Sequence, residues 1–305
     1  MWQRVTDGIH RVTFRLPLGI DHVHCYLLRD PDGSWTLVDT SLGVDDPEAQ
    51  WAPVLAGLDG PVERILVTHM HPDHVGGAAD LAALTGATVF QGRDDYAQCE
   101  RVWGPERSRG RVDAYMRDHG LPEELIFGGD IASLVHWARD PELLDEGDEL
   151  AGWRVLQLPG HADGHVVLWA DGVLVAGDTI LGEITSHVGL YPDCRPDPLE
   201  DYLDSLARIE GLEPRLALPG HGPVLEDAAG RAREIVLHHA ERLEKTADAL
   251  AAGPRSAYEV SLSIFGRVPP PQRRFAVTEA LAHLERLVRL GRAERLEGLP
   301  VRFAV

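Results

Sequence analysis

Arg64-Ile65-Leu66-Val67-Thr68-His69-Met70-His71-Pro72-Asp73-His74 is the stretch that decides how this chain is read. Its first half, Arg64 to Thr68, is a short apolar run of strand length. Its second half sets three imidazoles and a carboxylate within six residues. Ala78 to Leu84 then patterns as a helix, so the cluster occupies the loop of a strand–loop–helix unit, where chemistry is commonly carried. Neutral nitrogen and hard oxygen donors fixed at one backbone turn suit zinc and similar divalent ions. HxH alone says little, because alternate residues of any strand face one way. The run HxHxDH is much more specific.

Three more donor-bearing turns lie further along: Pro159-Gly160-His161-Ala162-Asp163-Gly164-His165, Ala176-Gly177-Asp178-Thr179 and Pro219-Gly220-His221-Gly222-Pro223. Each follows a strand-like apolar run, so all can converge on one edge of the sheets. The chain opens with strands at Gly8–Leu16, Val23–Arg29 and Trp35–Val38, the last two joined by the turn Asp30-Pro31-Asp32-Gly33. A helix is predicted over Pro47–Leu58, capped by Asp45 or Asp46, and a strand over Thr88–Phe90. Further strands fit Trp153–Leu158, Val166–Ala170, Val173–Ala176 and Leu216–Leu218, with a helix at Leu199–Glu210. Between them, residues 91–146 carry scattered aromatics (Tyr96, Trp103, Tyr115, Phe127, Trp137) on irregular helical patterning. The segment reads either as a lid over a pocket or as a peripheral helical pair.

From residue 227 the pattern changes. Ile235, Val236, His239, Leu243, Ala247 and Leu250 recur at helical spacing; helices are predicted at Ser256–Phe265 and Gln272–Leu290, then strands at Ala293–Leu296 and Val301–Ala304 around Gly298. Three helices and a small hairpin is the winged-helix order. The division is therefore a catalytic domain over 1–226 and a winged-helix-like domain over 227–305.

With 305 residues, 44% hydrophobic and 26% charged, the chain can bury a core and is neither disordered nor fibrous. No apolar run nears the ~18 residues of a membrane helix. The N-terminus has no signal-like apolar region, so a cytoplasmic protein is expected. Cys25, Cys99 and Cys194 lack any CxxC spacing, which argues against a disulfide framework or a zinc ribbon. Net charge is −20 and uneven: Glu226 onward holds 13 basic and 11 acidic residues, leaving −22 on the residues before it. Such an anionic body repels polyphosphates, so a nucleic-acid partner is not expected. The terminal domain reads as a packing or homodimerisation module.

The motifs resemble those of the metallo-β-lactamase superfamily over about residues 8–225, in order from Leu37-Val38-Asp39-Thr40 through HxHxDH, PGHxxGH, GDT and PGHGP. The resemblance implies an α/β fold, a four-layer αβ/βα sandwich with two divalent metals in a cleft. Zinc is the default, with iron or manganese also accepted by this donor set. By the same carry-over, His69, His71 and His161 hold one metal, Asp73, His74 and His221 the second, and Asp178 bridges. Two such cations with the two carboxylates and a bridging hydroxide leave about +1 in the cleft. Asp73 is the expected catalytic residue, orienting the hydroxide and passing its proton towards the leaving group. Asp39 is expected to hydrogen-bond a ligand imidazole, and His165 to support its loop. His187 and Tyr191, shortly after Asp178, are candidates for contact with substrate. His22 and His24 read as an ordinary strand face.

The branch resembled is that of glyoxalase II and a related endoribonuclease. The expected function is hydrolysis of a carboxylic ester-type bond, thioester or lactone, in a small, partly apolar substrate, by metal-bound hydroxide. The alternatives are a phosphodiesterase or ribonuclease, and a metal-binding scaffold without catalysis.

Overall fold

Two sheets face each other. In the computed structural model, which describes residues 2–17, 19–105, 109–126 and 131–305, the first has seven strands in sequence order. These are β1 (Trp2–Thr6), β2 (Ile9–Arg15), β3 (His22–Arg29), β4 (Trp35–Val38), β5 (Val62–Val67), β6 (Thr88–Gly92) and β7 (Glu142–Leu144). β1 to β4 are antiparallel, and β4 to β7 run parallel. The second sheet comprises β8 (Glu149–Leu150), β9 (Trp153–Gln157), β10 (Val166–Ala170), β11 (Val173–Gly177) and β12 (Leu216–Pro219), in the order β12-β11-β10-β9-β8.

The alternation of each strand explains the layering. Tyr26, Leu28, Val38 and Leu66 from the first sheet meet Val155, Val166, Leu168, Val175 and Leu218 from the second in the central core. The opposite face of the first sheet, with Leu27, Leu37, Ile65 and Val67, packs on α1 (Pro47–Leu55), α3 (Ala78–Thr85) and α4 (Arg93–Trp103). That of the second, with Leu156, Val167 and Leu174, packs on α6 (Pro198–Leu212) and α7 (Ala228–Leu250). This is the four-layer arrangement expected from the motifs. The short helix α2 (Pro72–Val75) carries part of the histidine cluster.

Within residues 91–146 the structure differs from an inserted helical pair in one respect: Glu142–Leu144 is a true strand, the last of the first sheet. Tyr96, Trp103 and Trp137 pack against the core beneath that sheet. Tyr115, on α5 (Arg109–Asp118), packs instead with the C-terminal helices, and Phe127 lies outside the described residues.

After α7 come α8 (Ala257–Phe265), α9 (Pro270–Arg289) and the hairpin β13 (Glu294–Leu296) and β14 (Arg302–Ala304). α8 opens with a reciprocal capping box between Ser256 and Glu259. Leu250, Val260, Val277, Leu281, Leu284 and Phe303 form the core of this module. No helix among the described residues is long and apolar enough to cross a membrane.

Candidate metal centre

Every donor motif leaves the carboxyl end of a strand. β5 leads into Thr68–His74, β9 towards His161, β11 into Asp178 and β12 into His221; β4 ends at Asp39. β9, β11 and β12 run in one direction, because β10 is antiparallel to both β9 and β11 while β11 and β12 are parallel. Their loops therefore emerge at one edge, the position at which open α/β sheets bind ligands.

The side chains meet there. His69 Nε2 and His71 Nδ1 are 3.0 Å apart, and His71 Nδ1 is 2.9 Å from His161 Nε2. Asp178 Oδ2 lies 3.2 Å from His221 Nε2, 3.4 Å from His74 Nε2 and 3.7 Å from His161 Nε2. Asp73 Oδ2 lies 3.4 Å from His221 Nε2. Three sets of donors form, the ligand atoms of each set lying within 4.8 Å of one another: His69, His71 and His161; His69, His74 and Asp178; Asp73, His74 and His221. Asp178 stands where the sets adjoin.

The donor set fits divalent cations on the structure's own terms. Among the described residues, the buried atoms His74 Nε2, His221 Nε2 and Asp178 Oδ1 have no hydrogen-bond partner, although buried polar atoms are ordinarily satisfied. A Cβ on Gly220 would overlap Asp178 Oδ1 and crowd His74 Cε1, so the loop keeps that space open. Burial pushes the His69 imidazole well below its usual range, with repulsion from His74 and His165 adding to it, so the ring is neutral and its lone pair free. Burial pulls His161 down to about 4, only partly offset by Asp178. His221 goes the other way: burial opposes its charge, yet Asp178 and Asp73 raise it to about 10. Burial would raise Asp178, but His221 and His74 outweigh it and hold the carboxyl well below its ordinary value. Two carboxylates thus draw positive charge to this spot, which is what a cation site requires.

Hydrogen bonds behind the donors aim them. Asp39 Oδ2 accepts from His74 Nδ1 at 2.8 Å, and Oδ1 accepts the Thr68 N–H at 2.8 Å. His165 accepts the Asp178 N–H through Nε2 at 3.1 Å and stacks on His69, with ring centroids 4.6 Å apart. The His187 carbonyl accepts from His161 Nδ1 at 2.7 Å, while the His187 ring faces α9. Tyr191 Oη is 3.5 Å from His187 Nε2.

Sequence reading missed several supports. The His22 carbonyl accepts from His221 Nδ1 at 2.6 Å, its Nε2 accepts the Gly222 N–H, and His24 Nε2 lies 2.9 Å from the Gly222 carbonyl. His22 and His24 therefore anchor the His221 loop from another strand. Met70, between two donors, is held by Asp95, which accepts its N–H at 3.0 Å, and by Trp103, whose Nε1–H donates to its carbonyl at 2.8 Å. The HxH at 22–24 was the one visible signal; nothing in the sequence marks Asp95 or Trp103.

Residues 18–221 match the model of the metallo-beta-lactamase superfamily, and residues 243–305 that of the metallo-beta-lactamase-like C-terminal domain. This chain belongs to the metallo-beta-lactamase superfamily. It is similar to the crystal structure of a metallo-beta-lactamase family protein of Thermus thermophilus, with 37% identity, TM-score 0.88 and 99% of each chain covered. It is 25% identical to a probable metallo-hydrolase of Bacillus subtilis, over 92% of each chain. A hydroxyacylglutathione hydrolase of Pseudomonas putida is 35% identical over 57% of this chain and 56% of its own. An atrochrysone carboxyl ACP thioesterase of Aspergillus fumigatus is 25% identical over 76% of this chain and 65% of its own. With this family match and these relatives, the chain is a hydrolase.

Proposed function

We propose that this hydrolase cleaves a carboxylic thioester or lactone of a small, partly apolar substrate, with two divalent cations, zinc by default. The carrying observation is the convergence on Asp178: one carboxylate oxygen lies within 3.7 Å of nitrogens from His74, His161 and His221. His69, His71 and His161 would hold one cation and Asp73, His74 and His221 the other, with Asp178 serving both. Bound there, the cations supply a Lewis acid for the carbonyl oxygen and bring the pKa of a coordinated water towards ~7.

The chain's own groups do the rest. Asp73 is partly exposed and reaches into the cleft beside His221. Its carboxylate takes the proton of the attacking water and returns one to the leaving group. Asp39 and the carbonyls of His22 and His187 hold the Nδ1–H of His74, His221 and His161, which leaves each Nε2 lone pair for the cation. Phe275 is an exposed aromatic whose ring lies 5.4 Å from that of His187. The relatives named as a thioesterase and a hydroxyacylglutathione hydrolase support the thioester over the lactone. The −20 net charge weighs against RNA, whose binding rests on neutralised phosphates.

A substrate panel tests this: an acyl thioester, a lactone, an aryl ester, a bis-aryl phosphodiester and a short RNA, each with Asp73→Ala as control. Turnover of the carboxylic substrates, lost in the variant, is expected. Cleavage of only the phosphodiester and RNA would overturn the proposal.

A further inference from the structure

We propose that Glu279, on α9 of the C-terminal module, is a positioning residue for the metal centre that acts on His161 through His187. The inference rests on the reading above in which His161 holds a cation. His161 Nδ1–H is fixed by the His187 carbonyl, so the direction of its Nε2 depends on where the chain between Asp178 and Tyr191 places that one oxygen.

That stretch has no regular structure of its own between β11 and α6, and it is pinned from outside. At its start the Ser186 hydroxyl donates to the Asp178 carbonyl at 2.6 Å, and Arg231 of α7 donates to the carbonyls of Leu181 and Ile184 at 2.8 and 3.0 Å. From His187 onward the pins come from α9. Glu279 Oε2 lies 3.4 Å from His187 Nδ1, and Thr278 Oγ1 lies 3.3 Å from His187 Nε2. The Phe275 ring meets the imidazole edge-on, and the Thr278 carbonyl accepts the Leu190 N–H at 3.1 Å. On the loop side, a Cβ on Gly189 would overlap His187 Nε2 and come within 2.9 Å of Thr278 Oγ1. The His187 ring is thus seated in a slot that only glycine at 189 leaves open.

A ligating histidine performs well only when its second nitrogen is held, because that bond fixes both tautomer and ring direction. Here the holder is a backbone oxygen on an irregular loop. The Glu279 carboxylate, its side chain 14% exposed, is the charged group set against the His187 ring. The C-terminal module therefore contributes to the site without supplying a donor to it.

The test uses the full chain and four proteins: parent, Glu279→Ala, Glu279→Gln and Gly189→Ala. Zinc affinity is measured by competition with a chromophoric chelator, the cobalt(II)-substituted absorption spectrum is recorded, and kcat and KM are separated on a thioester. Glu279→Ala is expected to weaken zinc binding about 10-fold, to shift the cobalt bands and to lower kcat with KM little changed. Glu279→Gln keeps an acceptor for His187 and is expected to restore most of the loss, whereas Gly189→Ala is expected to reproduce it. Glu279→Ala that is folded by circular dichroism, with parental zinc affinity and cobalt spectrum, would overturn the proposal. Should Glu279→Ala not fold, the same result from Gly189→Ala would overturn it. A parent chain that binds no zinc overturns the reading of the site itself, an outcome recognisable before any variant is compared.

Discussion

Asp39 is the side chain through which the end of β4 acts on the second donor set. It sits at φ 62°, a left-handed conformation unusual for a residue other than glycine, and from there accepts from His74 and twice from Thr68. Asp39→Ala frees the His74 ring and is expected to cost 10–100-fold in metal affinity or turnover, roughly the range for such partners. Parental zinc affinity in that variant would contradict the role. Asp95 offers a pH-resolved test. Burial raises its carboxyl to about 7, against hydrogen bonds from Gln91 and Met70 that pull the other way. Its stability contribution is therefore complete below the unfolded value of 3.8 and lost as pH rises through about 7. Asp95→Asn can still accept from Met70, and its amide can donate to the unpaired Gln91 Oε1 once that side chain turns over. The variant is expected to melt above the parent at pH 8 and level with it at pH 4; a difference independent of pH would contradict the account. The donors were legible because each sits in a short motif, HxHxDH or one of three glycine-bearing turns. Asp95 and Trp103 were not, since a residue that holds a backbone group leaves no pattern of its own.

At the scale of elements, α9 illustrates both success and failure of sequence reading. Periodicity placed it at Gln272–Leu290, and it runs from Pro270 to Arg289, because proline is tolerated in a first turn where no intrahelical N–H bond is lost. What periodicity could not show is that its face meets the His187 loop, about 90 residues away in sequence. β7 escaped notice for a different reason: three residues at a sheet edge are too few for alternation to register. α7 and α9 also share a buried imidazole pair, His239 Nδ1 lying 3.2 Å from His283 Nε2. Burial and the neighbouring His283 pull His239 down to about 3, and burial lowers His283 too. The unfolded chain takes up protons near 6.5 that the folded pair refuses, so stability falls as pH drops below that value. The slope is at most about 1.4 kcal/mol per pH unit for each group. His239→Gln is expected to show a smaller loss of melting temperature between pH 7 and pH 5 than the parent. Equal losses would show that the pair carries none of the acid sensitivity.

The molecule as a whole concentrates its chemistry at one sheet edge, while its surface carries an excess of negative charge. The layer order was readable through the metallo-β-lactamase resemblance that the donor motifs carry, while the strands themselves indicated only that their donor loops can converge on one edge. The coupling between the sandwich and the terminal helices was not readable. It depends on packing between Leu199, Tyr202 and Leu206 of α6, Ala232, Ile235 and Leu243 of α7, and Leu287 of α9, none of which differs from ordinary core residues in sequence. That seven side chains from four loops hold two cations needed for hydrolysis is the proposal on which the function rests. It is tested most directly by counting metal per chain while following thioester turnover before chelation, after it, and after zinc is restored. Two equivalents per chain, activity lost with the metal and regained with zinc, are predicted. Turnover that survives exhaustive removal of metal would contradict it.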